Sequence, residues 1–225
     1  MVNRSNNSNA ADFRKHFYER LRQLPGRAVM RFPAGTLPKR YKTAAVLLCC
    51  WPAGDGRVEI VMTRRTDQVS SHQGQVSFPG GRVDAADASA ADAALRETWE
   101  ELGIAPGLIT IMGRLDDAWS RFGHHVIPYV GWLEQRPELT PNPREVAEIL
   151  IADMATIMRP EAEREHKVVL PAGSGTTHVT KAFEWDGGYV WGLTADLLLE
   201  LILWIRGEPS NRGHARLERM RQFGV

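Results

Sequence analysis

Apolar and polar residues alternate along the chain with two periods, and the period changes from segment to segment. Phe13, Phe17 and Leu21 recur every four residues, which predicts a leading amphipathic helix ending near Pro25-Gly26. Residues 27–42 form a Pro-punctuated connector. Ala44 to Trp51 (AAVLLCCW) and Val58 to Thr63 (VEIVMT) are short apolar runs around AGDG, which reads as two strands and a tight turn. A short strand-like piece follows at Gln75 to Phe78, then a helix over Ser89 to Leu102. Ile109 to Leu115 and His125 to Leu133 read as strands, residues 134–145 as a Pro-rich loop, and Val146 to Ala155 as strand then helix. Residues 166–191 suggest two or three strands, and Leu193 to Ile205 a strongly apolar helix. This irregular alternation predicts an α/β fold on a mixed sheet rather than a strict βαβ series.

Within the Ser89–Leu102 helix, Leu95, Trp99 and Leu102 make one stripe, expected to face the core. Glu97, Glu100 and Glu101 share another face through i,i+3 and i,i+4 spacing. Like charges so spaced oppose a helix by roughly 0.2–0.5 kcal/mol per pair, and the C-terminal macrodipole disfavours them further. Those costs are small enough for a solvated acidic face. A hard divalent cation changes the balance, because Mg²⁺ takes carboxylate oxygens together with substrate phosphates. Arg96 is placed to brace a glutamate, and Gly80 and Gly81 allow close backbone approach.

Composition adds few constraints. A chain of 225 residues with 43% apolar and 24% charged residues suits one domain of ordinary globular type. A net charge of +1 points to no acidic or nucleic-acid partner, although Arg206, Arg212, Arg216, Arg219 and Arg221 make the C-terminus basic. Cys49 and Cys50 are adjacent and read as buried, reduced thiols. The polar start lacks the core of a signal peptide, and the longest apolar run is too short to span a bilayer. The expected organisation is a disordered 1–10, one domain over 11–206, and a basic tail over 207–225, in a cytoplasmic protein.

The stretch GGRVDAADASAADAALRETWEELGI, Gly80 to Ile104, resembles the Nudix box, G-x5-E-x7-R-E-U-x-E-E-x-G-U with U apolar. Gly81, Arg96, Glu97, Glu100, Glu101, Gly103 and Ile104 match it. Asp87 stands at the first acidic position, with eight residues rather than seven between it and Arg96, and Thr98 takes an apolar place. Upstream, VMTRRTDQVSSHQGQVSFPGG resembles the segment marking coenzyme A pyrophosphatases, L-L-T-x-R-S-x3-R-x3-G-x-V-x-F-P-G-G, with Ser70 where that pattern has its second Arg. HHVIPYVGWL and VWGLTADLLLELI are also similar to segments of that family, so the resemblance covers roughly residues 40–206.

The resemblance implies a Nudix α/β/α sandwich with a mixed β-sheet and metal-dependent cleavage of coenzyme A or its derivatives at the diphosphate. Products would be 3′,5′-ADP and 4′-phosphopantetheine. It implies Mg²⁺ or Mn²⁺ held by Glu97, Glu100, Glu101 and the Gly80 carbonyl, with Arg96 bracing them. The general base is a box glutamate or a distal one, Glu145 before Glu148. Arg64, Arg65, Ser70, Ser71, His72 and Gly81 are the candidate substrate contacts. The expected partner is a small coenzyme A-like nucleotide, with a homodimer open and neither a membrane nor a nucleic acid expected. Two other readings stay open: a Nudix hydrolase of ADP-ribose, a dinucleotide or a capped RNA end, and a non-catalytic Nudix-like binding domain. Retention of Arg96 and all three glutamates argues against the last.

Overall fold

The computed structural model describes residues 4–66, 75–169 and 177–222. In chain order its elements are α1 (Arg4–Arg22), β1 (Lys42–Pro52), β2 (Val58–Arg65), β3 (Val76–Ser77), β4 (Gly80–Arg82) and α2 (Ala90–Leu102). Then come β5 (Thr110–Arg114), β6 (Ala118–Ser120), β7 (His124–Trp132), β8 (Val146–Asp153) and α3 (Met154–Ile157). The chain finishes with β9 (Glu163–Val169), β10 (Thr177–Trp185), β11 (Gly188–Trp191), α4 (Gly192–Arg206) and α5 (Arg212–Gln222).

The main sheet runs β3-β2-β1-β7-β5, with β4 on β1, β6 on β7 and β8 on β2. β1 and β7 pair in parallel, from Lys42↔His124 to Cys50↔Trp132, while β2 and β4 pair with β1 antiparallel. The sheet is therefore mixed, as expected. β9, β10 and β11 form a separate antiparallel sheet.

β1 is apolar on both sides because both of its faces are covered. Leu48 and Cys50 join a cluster with Phe17 and Leu21 of α1 and Leu198, Leu201 and Ile202 of α4. Ala45, Leu47, Cys49 and Trp51 point the other way, onto Ala93, Ala94 and Leu102 of α2. The period-2 alternation of one strand thus defines three layers, helix on sheet on helix. Cys49 and Cys50 are buried free thiols, and burial raises the pKa of both.

The two chain ends depart from expectation. α1 begins at Arg4, inside the stretch expected to be disordered. Residues 207–225 contain no solvated tail over 212–222: α5 docks there, with Arg216 buried. The reason lies in α4, where Asp196 and Glu200 sit buried in an otherwise apolar helix. Buried carboxylates need cationic partners. Arg216 Nη1 lies 2.6 Å from Glu200 Oε2, and its Nε donates to Asp196. Arg212 also pairs with Asp196, and Arg27 of the connector reaches Glu200 at 2.6 Å and Asp116 at 2.9 Å. Arginines that look like a surface feature along the chain are the counter-charges of an internal network.

Arg216→Ala removes that guanidinium and leaves two buried carboxylates under-compensated. It is expected to cost about 3–5 kcal/mol in a urea unfolding titration. A loss within about 0.5 kcal/mol, as at an ordinary surface site, would contradict the network.

Candidate active site

Helix α2 is framed at both ends. Ser89 caps its start, the hydroxyl accepting from Asp92 N at 3.2 Å. Gly103, with φ of +74°, stops it in the left-handed conformation and donates its N–H to Trp99 O at 2.8 Å. The next carbonyls are capped from outside the helix: Thr140 N donates to Leu102 O and Asn142 N to Glu101 O, each at 2.9 Å. The Pro-rich loop is thereby pulled across the end of α2. At its far side Thr66 N donates to Glu145 O at 3.1 Å, and Thr66 Oγ1 to Arg144 O at 3.0 Å.

This bracing delivers Glu145 to the helix. Glu97, Glu101 and Glu145 each offer a carboxylate oxygen, and these atoms lie within 4.8 Å of one another. Glu97 and Glu101 share a face by their i,i+4 spacing. Below them passes β4, where Gly81 pairs with Ala45 and Gly80 with Val46. A Cβ on Gly81 would sit 2.4 Å from the Glu97 carboxyl carbon, and one on Gly80 2.3 Å from Ala45 O. Glycine at both positions lets the strand run directly beneath the carboxylates.

Arg96 ties the preceding loop to the same face. Its Nε and Nη2 bond the two oxygens of Asp87 at 2.9 and 3.0 Å, and Nη2 also donates to Arg82 O at 3.1 Å. Nη1 donates to Glu97 and to Glu100, both at 3.0 Å. Those bonds hold Asp87 below its ordinary carboxylate pKa and raise the guanidinium of Arg96. Asp87 is thus a bidentate anchor for Arg96. Glu100 is half-exposed and held by Arg96, outside the trio.

Glu101 is the buried member, only 2% exposed. Burial pushes its carboxyl up to about 8; the Arg65 guanidinium opposes the rise, while Glu97 and Glu145 add to it. Burial also raises Glu97, against its contacts with Arg96. Arg65 Nη1 stands 3.8 Å from Glu101 Oε1. Glu101 Oε2 and Arg65 Nε are both buried without a hydrogen-bond partner. Three hard oxygen donors, one of them unsatisfied, fit a divalent cation well. The unsatisfied guanidinium N–H beside them fits a phosphate oxygen.

The other expected residues divide. Arg65 joins the site, whereas Arg64 Nε bonds Glu148 at 2.7 Å, so the second distal base candidate is engaged elsewhere. Ser70, Ser71 and His72 lie outside the described residues. His125 Nε2 is 2.9 Å from Asp117 and its ring stacks on Phe32, a packing role. The stripe expected to face the core is corrected at Trp99, which is 56% exposed; Leu102 is buried and Leu95 packs against the same cluster as expected, and Ala93, Ala94, Thr98 and Glu101 are buried with them. Thr98 manages this by donating its hydroxyl to Ala94 O at 2.7 Å. Asp87, Thr66 and Asn142 are supports to which sequence reasoning assigned no role, although Asp87 occupies the box's acidic position and Thr66 stands where the upstream pattern has Ser.

This glycine-floored carboxylate site on a helix over a mixed sheet is that of a Nudix domain, and the NUDIX domain profile matches residues 41–172. The chain belongs to the Nudix family. Among its relatives, Nudix hydrolase 22, chloroplastic, of Arabidopsis thaliana is 35% identical over 176 residues, covering 75% of this chain and 57% of that protein. Nudix hydrolase 15, mitochondrial, of the same plant is 31% identical over 175 residues, 74% of this chain and 60% of that protein. The chain thus spans less than two thirds of the length of either plant relative. The uncharacterized Nudix hydrolase NudL of Yersinia pestis (strain Pestoides F) is 32% identical over 145 residues, 63% of this chain and 70% of that protein. A MutT/nudix family protein from Enterococcus faecalis superposes with a TM-score of 0.46 at 14% identity, covering 100% of this chain and 88% of its own.

The raised Glu101 carboxyl predicts a pH-dependent stability. Between the ordinary value of 4.5 and its folded value of about 8, the folded chain keeps a proton that the unfolded chain releases. Its contribution is therefore full below about 4.5 and lost as pH rises through about 8. Chelator-treated protein is expected to lose stability across that window in urea titrations, and Glu101→Gln to flatten the slope. An equal slope in both proteins would mean that Glu101 ionises like a surface carboxylate.

Proposed function

We propose that the chain hydrolyses the diphosphate of coenzyme A or an acyl derivative, giving 3′,5′-ADP and the phosphopantetheine half. The observation that carries the diphosphate chemistry is the unsatisfied Glu101 oxygen beside Glu97 and Glu145, with Arg65, whose Nε is also unsatisfied, standing with Nη1 3.8 Å from that carboxylate. The coenzyme A assignment is supported by Thr63, Arg65, Gly74, Val76 and Phe78-Pro79-Gly80-Gly81, and by the VWGLTADLLLELI segment.

In this reading Glu97, Glu101 and the Gly80 carbonyl would hold Mg²⁺ or Mn²⁺, with Glu100, held by Arg96, as a further candidate ligand. A divalent cation bound there supplies neutralisation of the diphosphate charge and a more acidic water. Arg65 takes a phosphate oxygen with its free N–H and fixes the phosphorus over the carboxylates. Glu145, first of the distal candidates, accepts the proton as water oxygen bonds to phosphorus. The P–O bond of the anhydride breaks, and the departing phosphate carries its electron pair. Arg96 is a positioning residue: anchored by Asp87, it steadies Glu97 and Glu100. Buried free thiols support a reducing compartment such as the cytoplasm, with no described helix long and apolar enough to cross a membrane.

Product chromatography with Mg²⁺ or Mn²⁺ tests the substrate. Coenzyme A is expected to yield 3′,5′-ADP faster than ADP-ribose or NADH yields its nucleotide; the reverse order would move the assignment to another nucleoside diphosphate derivative. Glu145→Gln is expected to lower kcat roughly 10²–10⁴-fold, the usual worth of a general base. Glu101→Gln is expected to lose more activity than Glu100→Gln, since Glu101 lies inside the trio and Glu100 does not. An inert Glu145→Gln or an opposite ranking would sink these roles.

A further inference from the structure

The loop residue Asn142 joins the two halves of the candidate site. Its backbone N–H donates to Glu101 O at 2.9 Å, and its own carbonyl accepts from Glu145 N at 3.0 Å and Val146 N at 2.8 Å. Its side-chain Oδ1 accepts from Arg144 N at 3.1 Å, two residues on, as in an Asx turn, and Pro143 presets the backbone between them. The Arg144 N–H needs an acceptor, which fixes the orientation of the amide and turns Nδ2 toward Glu145. Nδ2 donates to Glu145 Oε1 at 3.3 Å. All four polar atoms of Asn142 are thus committed, and they connect the main chain of one candidate metal ligand to the carboxylate of the candidate base.

Glu145 needs such a hold. It is half-buried, and an oxygen of its carboxylate lies within 4.8 Å of oxygens of Glu97 and Glu101. Like charges that close push a flexible side chain outward. The other glutamates have guanidinium neighbours: Arg96 reaches Glu97 and Glu100, and Arg65 stands beside Glu101. Among the described residues, the one hydrogen bond to the Glu145 carboxylate comes from the neutral Asn142 amide. A guanidinium can occupy both oxygens of a carboxylate in a fork. A single amide donor holds one and leaves the other to receive a proton.

We propose that Asn142 is a positioning residue for the general base: it fixes Glu145 Oε1 relative to Glu101 and presents the second oxygen to the attacking water. The inference rests on Glu145 as the base of the diphosphatase reading and goes beyond it by naming the group that aims that base.

Asn142→Asp separates aiming from folding. The new side chain is isosteric, keeps an oxygen for Arg144 N and leaves the backbone bonds in place, but it replaces the donor by a negative charge facing Glu145. With Mg²⁺ and coenzyme A, and in parallel with ADP-ribose, kcat is expected to fall about 10²-fold, as for a reacting group misplaced by about 1 Å, with KM within about twofold and the urea midpoint little changed. In the Glu145→Gln background the same substitution is expected to cost less than about twofold more, since a base already removed cannot be misaimed; a merely structural role would multiply the two losses. Diffraction from Asn142→Asp adds a readout that needs no turnover: the Glu145 carboxylate is expected to swing away from Glu97 and Glu101 while the main chain of residues 140–146 stays in place. An unmoved kcat, multiplied losses in the double variant, or an undisplaced Glu145 would overturn the positioning, while a deficient Glu145→Gln still upholds the base. A fully active Glu145→Gln would overturn the base and its aiming together. Absence of turnover on both substrates would overturn the diphosphatase reading instead, and the diffraction would then decide the role of Asn142 alone.

Discussion

A carboxylate kept out of water with one oxygen unsatisfied is costly unless something cationic meets it, and Glu101 is such a group. Arg65 at 3.8 Å compensates it only in part, and Glu97 and Glu145 make matters worse. The raised pKa records that imbalance in the bare chain. Stability alone would favour an apolar side chain there, because α2 otherwise buries Ala94, Thr98 and Leu102 along the same face. A residue that works against its surroundings is where structure and function part company.

The surrounding fold converts this local cost into a defined arrangement. Glycine in β4 brings backbone beneath the carboxylates, the left-handed stop at Gly103 exposes helix carbonyls, and the Pro-rich loop occupies them. Glu145 reaches the trio because its loop is bonded on one side to α2 and on the other to Thr66. Asp87 and Arg96 hold the opposite edge. Each support is a backbone or charge-assisted bond of ordinary strength; together they limit how far the three carboxylates can separate.

Much of this was legible along the chain. Period-2 and period-4 patterns located β1, β2, β7, α2 and α4, because those elements bury regular faces. The glutamate spacing located the acidic face, and the box resemblance made Glu145 worth considering as a distal partner. The failures share one cause: periodicity says which residues align, not which neighbour they meet. Trp99 aligns with Leu102 and yet is exposed, since β1 packs on Ala93, Ala94 and Leu102 of α2. The arginines of α5 read as a tail until Asp196 and Glu200, buried in α4, are seen to require them. Two acids inside an apolar helix were the available signal. Nothing local marked Asn142, and Thr66, although it stands at the Ser of the upstream pattern, gave no sign of its bonds to the Pro-rich loop, which tertiary placement sets.

The central proposal is that Glu97 and Glu101 hold a divalent cation with Glu145 close by as the base, and manganese diffraction tests it most directly. Crystals grown with Mn²⁺ are expected to give an anomalous peak about 2.0–2.6 Å from Glu101 Oε2 and a Glu97 oxygen, absent in Glu101→Gln. A peak elsewhere, or one that persists unchanged in Glu101→Gln, would contradict the account.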